Sequence, residues 1–159
     1  MELEFDVKMT PAAMYDYLMH HTYSGMSGII GAIAGAFCIM IFLANRYVIY
    51  LIAGVVILAY LPIALLLRAH QQVQGTPVFK KPLHYKLTEE GISVSQDDSE
   101  EMQSWEACFK AVSTRSSIIL YTSKTTASIF PKKDLGEKKE ALIQIISTHM
   151  PPSKVKIRF

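Results

Sequence analysis

Hydrophobic residues concentrate in two long runs near the beginning of the chain. Met26 to Ala44 and Tyr47 to Leu67 span 19 and 21 residues, and neither run contains a charged side chain. A helix rises about 1.5 Å per residue, so each run is long enough to cross a hydrocarbon core about 30 Å thick. Because only Asn45 and Arg46 separate the runs, the pattern predicts a transmembrane helical hairpin.

Alternating polar and apolar positions on both sides of the hairpin predict β-strands. Residues 2–9 alternate strictly, and Thr10 followed by Pro11 is typical of a helix start. Residues 83–94 alternate on both sides of the turn TEEG and predict a β-hairpin. The runs SIILYTS and TASIF predict two further strands.

Three segments of the C-terminal half carry other patterns. QDDSEE, residues 96–101, is expected to be a polar loop. Trp105, Cys108, Phe109 and Val112 have helical spacing, although the run also fits an irregular strand. A closing helix is predicted by one stripe of side chains, stopped by two prolines: Leu135, Leu142, Ile145, Ile146 and His149.

The last residues, 154–159, alternate again and predict a final strand with Val155, Ile157 and Phe159 on one face and Lys154, Lys156 and Arg158 on the other. The first strand carries Glu2, Glu4 and Asp6 on its polar face. Opposite charges favour strand pairing by about 0.2–1 kcal/mol per pair, so the two ends are either neighbours or two unrelated solvated strands.

The fold class predicted from these elements is a membrane α-helical hairpin plus an α+β domain. We divide the chain into an N-terminal strand and juxtamembrane helix (1–23), a two-span hairpin (24–68), a linker (69–82) and a C-terminal domain (83–159). An isolated strand cannot bury its apolar face, so residues 1–9 are expected to join the sheet of the C-terminal domain.

Charges beside the hairpin predict its orientation. Arg68, Lys80 and Lys81 follow the second run, whereas the connector contains only Arg46. The positive-inside bias therefore favours a multi-pass protein of the cell membrane with both termini in the cytoplasm. The net charge of the 159 residues is +2, which does not indicate nucleic acid as a partner. The two cysteines have no metal-site spacing.

The segments HYKLTEEGISVS, IILYTS and ASIFPKKDL, together with Trp105, resemble the YcxB-like family of bacterial membrane proteins. The most specific parts are the turn from Tyr85 to Gly91, Trp105, and residues 129–132. The resemblance implies a bacterial inner-membrane location and a C-terminal domain similar to a pleckstrin-homology (PH) fold: an antiparallel sheet or partial barrel closed by a helix. It implies no particular biochemical activity.

Catalytic patterns are weak. His20, His21 and His70 lie near the predicted membrane surface, but they lack the spacing of a zinc motif. Cys108 stands among aromatic residues, which favours core packing over an activated thiolate. The acidic run 97–101 lacks the glycine loop of an EF-hand. We therefore expect neither an enzyme nor a cofactor.

Lysines form the best candidate binding surface, either for anionic lipid head groups or for an acidic partner: Lys80, Lys81, Lys132, Lys133, Lys138 and Lys139. An ordinary solvated lysine face is the alternative, since acidic residues are interspersed. Ser27, Gly31 and Gly35 form a ridge of small residues that packs against the second span or against a second copy.

Two functions are favoured at this stage, and a third, weaker alternative is an enzyme or metal protein built around His20, His21 and His70. The first is a membrane-anchored binding module for a protein partner or for lipid head groups. The second is an accessory subunit whose hairpin assembles with a membrane transporter or sensor. Beyond the lipid bilayer, the expected partners are therefore a second copy of the chain or another membrane protein.

Overall fold

The computed structural model describes residues 2–157. Five helices occur in these residues: α1 (Pro11–Tyr23), α2 (Met26–Asn45), α3 (Val48–Gly75), α4 (Lys132–Leu135) and α5 (Lys138–His149). Eight strands accompany them: β1 (Leu3–Val7), β2 (Leu83–Leu87), β3 (Gly91–Gln96), β4 (Ser99–Ser104), β5 (Lys110–Ser113), β6 (Ser117–Tyr121), β7 (Ala127–Pro131) and β8 (Val155–Lys156). Single 3₁₀ turns span Pro77–Lys80, Trp105–Ala107 and Pro152–Lys154.

Helices α2 and α3 form the predicted hairpin, and both are long and apolar enough to cross a membrane. Arg46 ends α2 in the left-handed conformation at φ 60°, and this allows α3 to begin two residues later. Helix α3 continues through Pro62 as far as Gly75. The segment 69–82, which we expected to be a linker, therefore begins with the last two turns of a helix.

Strand β1 belongs to the sheet of the C-terminal domain, as predicted. The first sheet has the order β1-β2-β3-β4, with every pair antiparallel. Leu3 lies opposite Leu87 in the β1–β2 ladder, and Phe5 lies opposite Tyr85. The hairpin helices return the chain to the side from which it came, which makes this long-range pairing possible.

The second sheet has the order β7-β6-β5-β8 and is mixed, because β8 runs parallel to β5. The two open sheets and the C-terminal helix confirm the predicted α+β class. Strand β6 is buried along its whole length. Its residues alternate between two cores, since Ile118 and Leu120 belong to one cluster and Ile119 and Tyr121 to the other.

The first core lies between the two sheets and under α5. Phe130 of the second sheet contacts two rings of the first sheet edge-on. Its ring centre lies 5.5 Å from that of Phe5 and 4.9 Å from that of Tyr85. Helix α5 contributes Leu142 and Ile146, which are fully buried in the same cluster. These contacts join the chain's N-terminal strand and its last helix into one folded unit.

The second core lies on the opposite face of the second sheet. It contains Ala13, Met14 and Tyr17 of α1, Ala69 and Val73 of α3, and Ile119, Tyr121 and Ile129 of the sheet. Helix α1 begins where the sequence predicted, because Thr10 Oγ1 accepts from the Ala13 N–H at 3.2 Å and Pro11 stands in the first turn. The domain is thus packed directly onto the juxtamembrane helices.

Two sequence expectations about the C-terminal half need correction. Residues 99–101 are not part of a polar loop but of β4, which forms a hairpin with β3 around Asp97 at φ 51°. Strand β4 is solvent-exposed, so it lacks the apolar alternation that marks a buried strand. The residues between Trp105 and Val112 combine a 3₁₀ turn with a strand instead of forming a helix.

The two terminal strands do not pair. Strand β1 pairs with β2, and β8 pairs with β5 of the other sheet. The acidic face of β1 finds its polar partners on β2, where Lys86 Nζ lies 3.0 Å from Glu4 Oε1 and His84 Nδ1 lies 2.8 Å from Asp6 Oδ1. Arg158 and Phe159, which we expected to continue the last strand, lie outside the described residues.

Candidate functional site

The orientation of the domain follows from α1. Only Ser24 and Gly25 separate α1 from α2, and a Cβ on Gly28 would lie 2.8 Å from the Thr22 carbonyl oxygen. The C-terminal end of α1 is therefore held against the start of the first span. The close approach requires glycine at position 28, because a methyl group there would contact backbone.

Helix α1 runs along the part of α3 that extends beyond the apolar span. Ala69 is fully buried there, and it shares a cluster with Ala13 and Met14 of α1. A helix of 13 residues is about 20 Å long. The N-terminal end of α1 consequently lies about 20 Å from its C-terminal end, so the second sheet packed along the helix has one end near the first span and one end far from it.

The near end of the second sheet carries aromatic and basic groups. The Tyr121 ring lies 6.1 Å from the His21 ring, in the last turn of α1, and 6.0 Å from the Tyr17 ring. Lys110 Nζ lies 4.5 Å from the centre of the Tyr121 ring. Phe109 is 46% exposed at the same edge. We call Phe109, Lys110 and Tyr121 the membrane-proximal edge.

Burial alters the titration of groups at this edge. It raises the pKa of Tyr121 to about 12, and the neighbouring Tyr17 adds to the rise. Burial also lowers the pKa of His20, with a further contribution from Lys110, while Asp16 acts in the opposite direction. His20 is therefore held in its neutral form more strongly than a solvated histidine.

The far end of the second sheet carries the lysines that the sequence indicated. Lys132, Lys133, Lys138 and Lys139 follow β7, and we call them the distal lysine cluster. Lys132 Nζ donates to the Thr114 carbonyl oxygen at 2.5 Å, and Lys138 Nζ donates to the Glu4 carbonyl oxygen at 2.7 Å. Lys133 is exposed. Lys132 and Lys133 lie beside the start of α1, at the end of the sheet that is far from the first span.

The linker lysines are not part of this cluster. Lys81 Nζ lies 2.6 Å from Asp97 Oδ2 in the β3–β4 turn, and Lys80 is exposed at the end of the 3₁₀ turn. Arg115, which the sequence analysis did not single out, is exposed in the turn between β5 and β6 next to Ser116 and Ser117. A single arginine in a serine-rich turn matches no sequence motif. Only the fold brings its turn next to Lys132, whose N–H donates to the carbonyl oxygen of the neighbouring Ser116.

The small residues of the first span have distinct positions. A Cβ on Gly35 would lie 2.5 Å from Leu58 Cγ of α3, and a Cβ on Gly31 would lie 3.1 Å from Leu61 Cδ1. The face around both glycines is therefore occupied by the chain's own second span. Ser27 is exposed.

Nucleophiles and metal ligands do not converge. Burial raises the pKa of the Cys108 thiol, and its Sγ lies 3.6 Å from the Ser104 carbonyl oxygen. Cys38 lies inside the first span. Within residues 2–157, no three side chains of His, Cys, Asp and Glu form a group suited to a metal ion.

Part of the C-terminal domain matches a known protein family. Residues 87–146 match the family model described as YcxB-like protein. The match confirms the resemblance seen in the sequence and covers the turn after β2, Trp105, the strands β3 to β7 and most of α5. No curated protein and no solved structure matches the chain.

Proposed function

We propose that this chain is a two-span protein of the bacterial cell membrane that presents its α+β domain, similar to a PH module, to the cytoplasm as a binding module. The ligand is an acidic protein partner, which binds through the distal lysine cluster. One observation carries the proposal: the second core joins Ala69 and Val73 of the spanning helix to Ile119 of the sheet. The domain is consequently held in one orientation, with the cluster directed away from the bilayer.

This orientation favours a protein over the chain's own bilayer as the ligand. Electrostatic attraction to an anionic leaflet falls off within about 8–10 Å at physiological salt. The cluster lies at the end of α1 about 20 Å from the start of the first span. Lysines at that height act mainly on a partner that approaches from the cytoplasm. The domain acts by binding rather than by catalysis.

Site-specific photocrosslinking in native membranes tests this proposal. A photoreactive amino acid replaces Lys133 in the full-length protein, and in a matched control it replaces Ser147, which is exposed on α5. We expect a discrete adduct at position 133 and none at position 147. In the Lys133-substituted protein, changing Lys138 and Lys139 to Gln should remove most of the adduct. Equal labelling at both positions, or no adduct at either, would contradict the proposal.

A vesicle assay examines the lipid alternative. Full-length protein in neutral nanodiscs is mixed with anionic vesicles at low salt, and cosedimentation is measured. We expect little capture. If capture is strong, and if changing all four cluster lysines to Gln abolishes it, the ligand is an anionic head group of another membrane and the acidic protein is excluded.

A second function is favoured by a feature of the spans. Val56, Ala59, Tyr60, Ile63, Ala64 and Leu67 line a groove on the outer face of α3 with a volume of about 330 Å³. Small residues in such a groove allow another transmembrane helix to approach. In this alternative the chain is an accessory subunit of a transporter or sensor. Ala59→Leu and Ala64→Leu should then release a copurifying membrane protein, while the domain remains folded.

A further inference from the structure

A cleft lies beside the distal lysine cluster, between the beginning of α1 and the far end of the second sheet. Its volume is about 360 Å³. It is lined by Thr10, Ala12 and Ala13 of the α1 start, Ser116 and Ser117 of the β5–β6 turn and β6, and Pro131, Lys132 and Lys133. Cavities of this size accept small organic molecules.

Ser117 is the reason to regard this cleft as a binding site. The residue is fully buried, and among residues 2–157 its Oγ has no hydrogen-bond partner. Alternate residues of a strand share a face, so Ser117 lies on the same face of β6 as Ile119 and Tyr121, whose side chains face α1 and α3. The Ser117 side chain therefore points to the side of the sheet where the cleft lies. A buried hydroxyl without a partner destabilises the fold, and a hydrogen-bond acceptor on a ligand would relieve that cost.

The cleft wall is fixed by backbone hydrogen bonds. Thr114 Oγ1 accepts from the N–H groups of Ser116 and Ser117 at 3.3 and 2.9 Å, and the Lys132 N–H donates to the Ser116 carbonyl oxygen at 2.9 Å. Thr114 Oγ1 also donates to Asp16, so that carboxylate is engaged at the turn and does not line the cleft. The backbone of this wall is thus held in place by the fold.

The electrostatics of the cleft suit an anion. Two lysines stand at its wall, and the positive end of the 13-residue helix α1 opens into it. Burial lowers the pKa of Lys132, with a further contribution from Lys139, while Asp16 raises it. A negative charge in the cleft would offset the repulsion between Lys132 and Lys139.

We infer that this cleft binds a phosphate monoester carried by a small soluble molecule. The oxygens of the phosphate accept from Ser117 and from the ammonium groups of Lys132 and Lys133, while the organic part contacts Ala12, Ala13 and Pro131. The inference goes beyond the proposed function, because it gives the cleft beside the distal lysine cluster a small-molecule ligand of its own. The distance of the cleft from the first span favours a soluble source over a head group of the surrounding bilayer.

Titration of the full-length protein in neutral nanodiscs with phenyl phosphate, followed by calorimetry at low ionic strength, tests the inference. We expect saturable binding with one site per chain. Lys132→Gln combined with Lys133→Gln should weaken the affinity at least about tenfold, and Ser117→Ala about tenfold, since a hydrogen bond to a charged group has this size. Ser117→Ala should keep the fold, because the hydroxyl has no partner to lose. Lys124→Gln is the matched control, because Lys124 is exposed in the turn between β6 and β7, at the other end of the sheet, and this change should alter the affinity less than about twofold.

Three results would overturn the inference: a titration that does not saturate, an unchanged affinity in Ser117→Ala, or an equal loss in Lys124→Gln. Nanodiscs containing phosphatidic acid provide the second arm. Phenyl phosphate should bind them with unchanged affinity, and competition by that lipid would assign the phosphate to a head group and exclude a soluble source. Saturable binding together with failed crosslinking at position 133 would leave the cleft established and the protein partner rejected.

Discussion

A Cβ atom added to Gly35 would lie 3.2 Å from the carbonyl oxygen of Gly54, and one added to Gly54 would lie 2.9 Å from the carbonyl oxygen of Gly35. The two spans therefore pack backbone against backbone at this point. A lipid-facing hairpin gains little from hydrophobic burial, so close packing of this kind stabilises the pair of helices.

Gly35→Ala should destabilise the hairpin by about 1–3 kcal/mol, because the added methyl group meets the branched Leu58 side chain and the Gly54 backbone. Thermal unfolding in detergent measures the effect. Gly31→Ala is the matched control, since its Cβ meets only the end of the flexible Leu61 side chain at 3.1 Å. Equal stability of the two variants would show that the seam at Gly35 does not hold the hairpin together.

Arg46 should face the outside of the cell, because the positively charged flanks favour cytoplasmic termini. Thiol labelling of Arg46→Cys in intact cells checks the topology, in a background with Cys38→Ala and Cys108→Ala. We expect labelling without permeabilisation. A label that appears only after permeabilisation would reverse the assigned orientation.

Trp105→Ala should lower the free energy of unfolding by about 3–5 kcal/mol. The side chain is 6% exposed, its Nε1–H donates to the Thr88 carbonyl oxygen at 2.9 Å, and its ring lies 5.2 Å from that of His149. Denaturant unfolding of the full-length protein gives the value. Phe109→Ala, at an exposed aromatic position, should cost much less. If the Trp105→Ala protein were as stable as the parent, Trp105 would not be a core anchor.

The membrane-proximal edge should lie at the level of the lipid head groups, and the distal lysine cluster should not. Environment-sensitive labels at Phe109→Cys and Lys133→Cys compare the two positions in nanodiscs that contain a head-group quencher, again without Cys38 and Cys108. We expect strong quenching at 109 and weak quenching at 133, because the two sites lie at opposite ends of the second sheet. The reverse order would contradict the orientation derived from α1.

His20 should make stability fall as the medium becomes acidic. Burial lowers its pKa in the folded chain, so the unfolded chain binds the proton more tightly. The unfolded state then holds more protons below about pH 6.5, the ordinary value for histidine. The stability that follows from neutral His20 is fully present above that pH and is lost as the pH falls below it. Melting curves of His20→Gln should therefore depend less on pH between about 7.5 and 5.5 than those of the parent, and identical dependence would refute the assignment.

The sequence by itself determined the elements whose signals are local. Length and the lack of charge mark the two spans, a hydroxyl before proline marks the start of α1, and strict alternation marks β1 and β2. These patterns need no partner, because each reports how one segment meets water, lipid or its own backbone. The apolar run of β6 was also visible, although only the structure shows that it separates two cores.

Tertiary structure decided what depends on neighbours. Strand β4 has no buried face, so its pairing with β3 left no mark on its composition. By charge, the acidic face of β1 could have paired with either of two basic strands, β2 or the C-terminal strand. The sheet order places it beside Lys86 and His84 of β2. The position of the distal lysine cluster relative to the first span follows from α1 packing along α3. The proposed site at Ser117 depends on β6, which places a hydroxyl beneath the start of α1. Composition contains none of these relationships, since each is a distance between segments far apart in the chain.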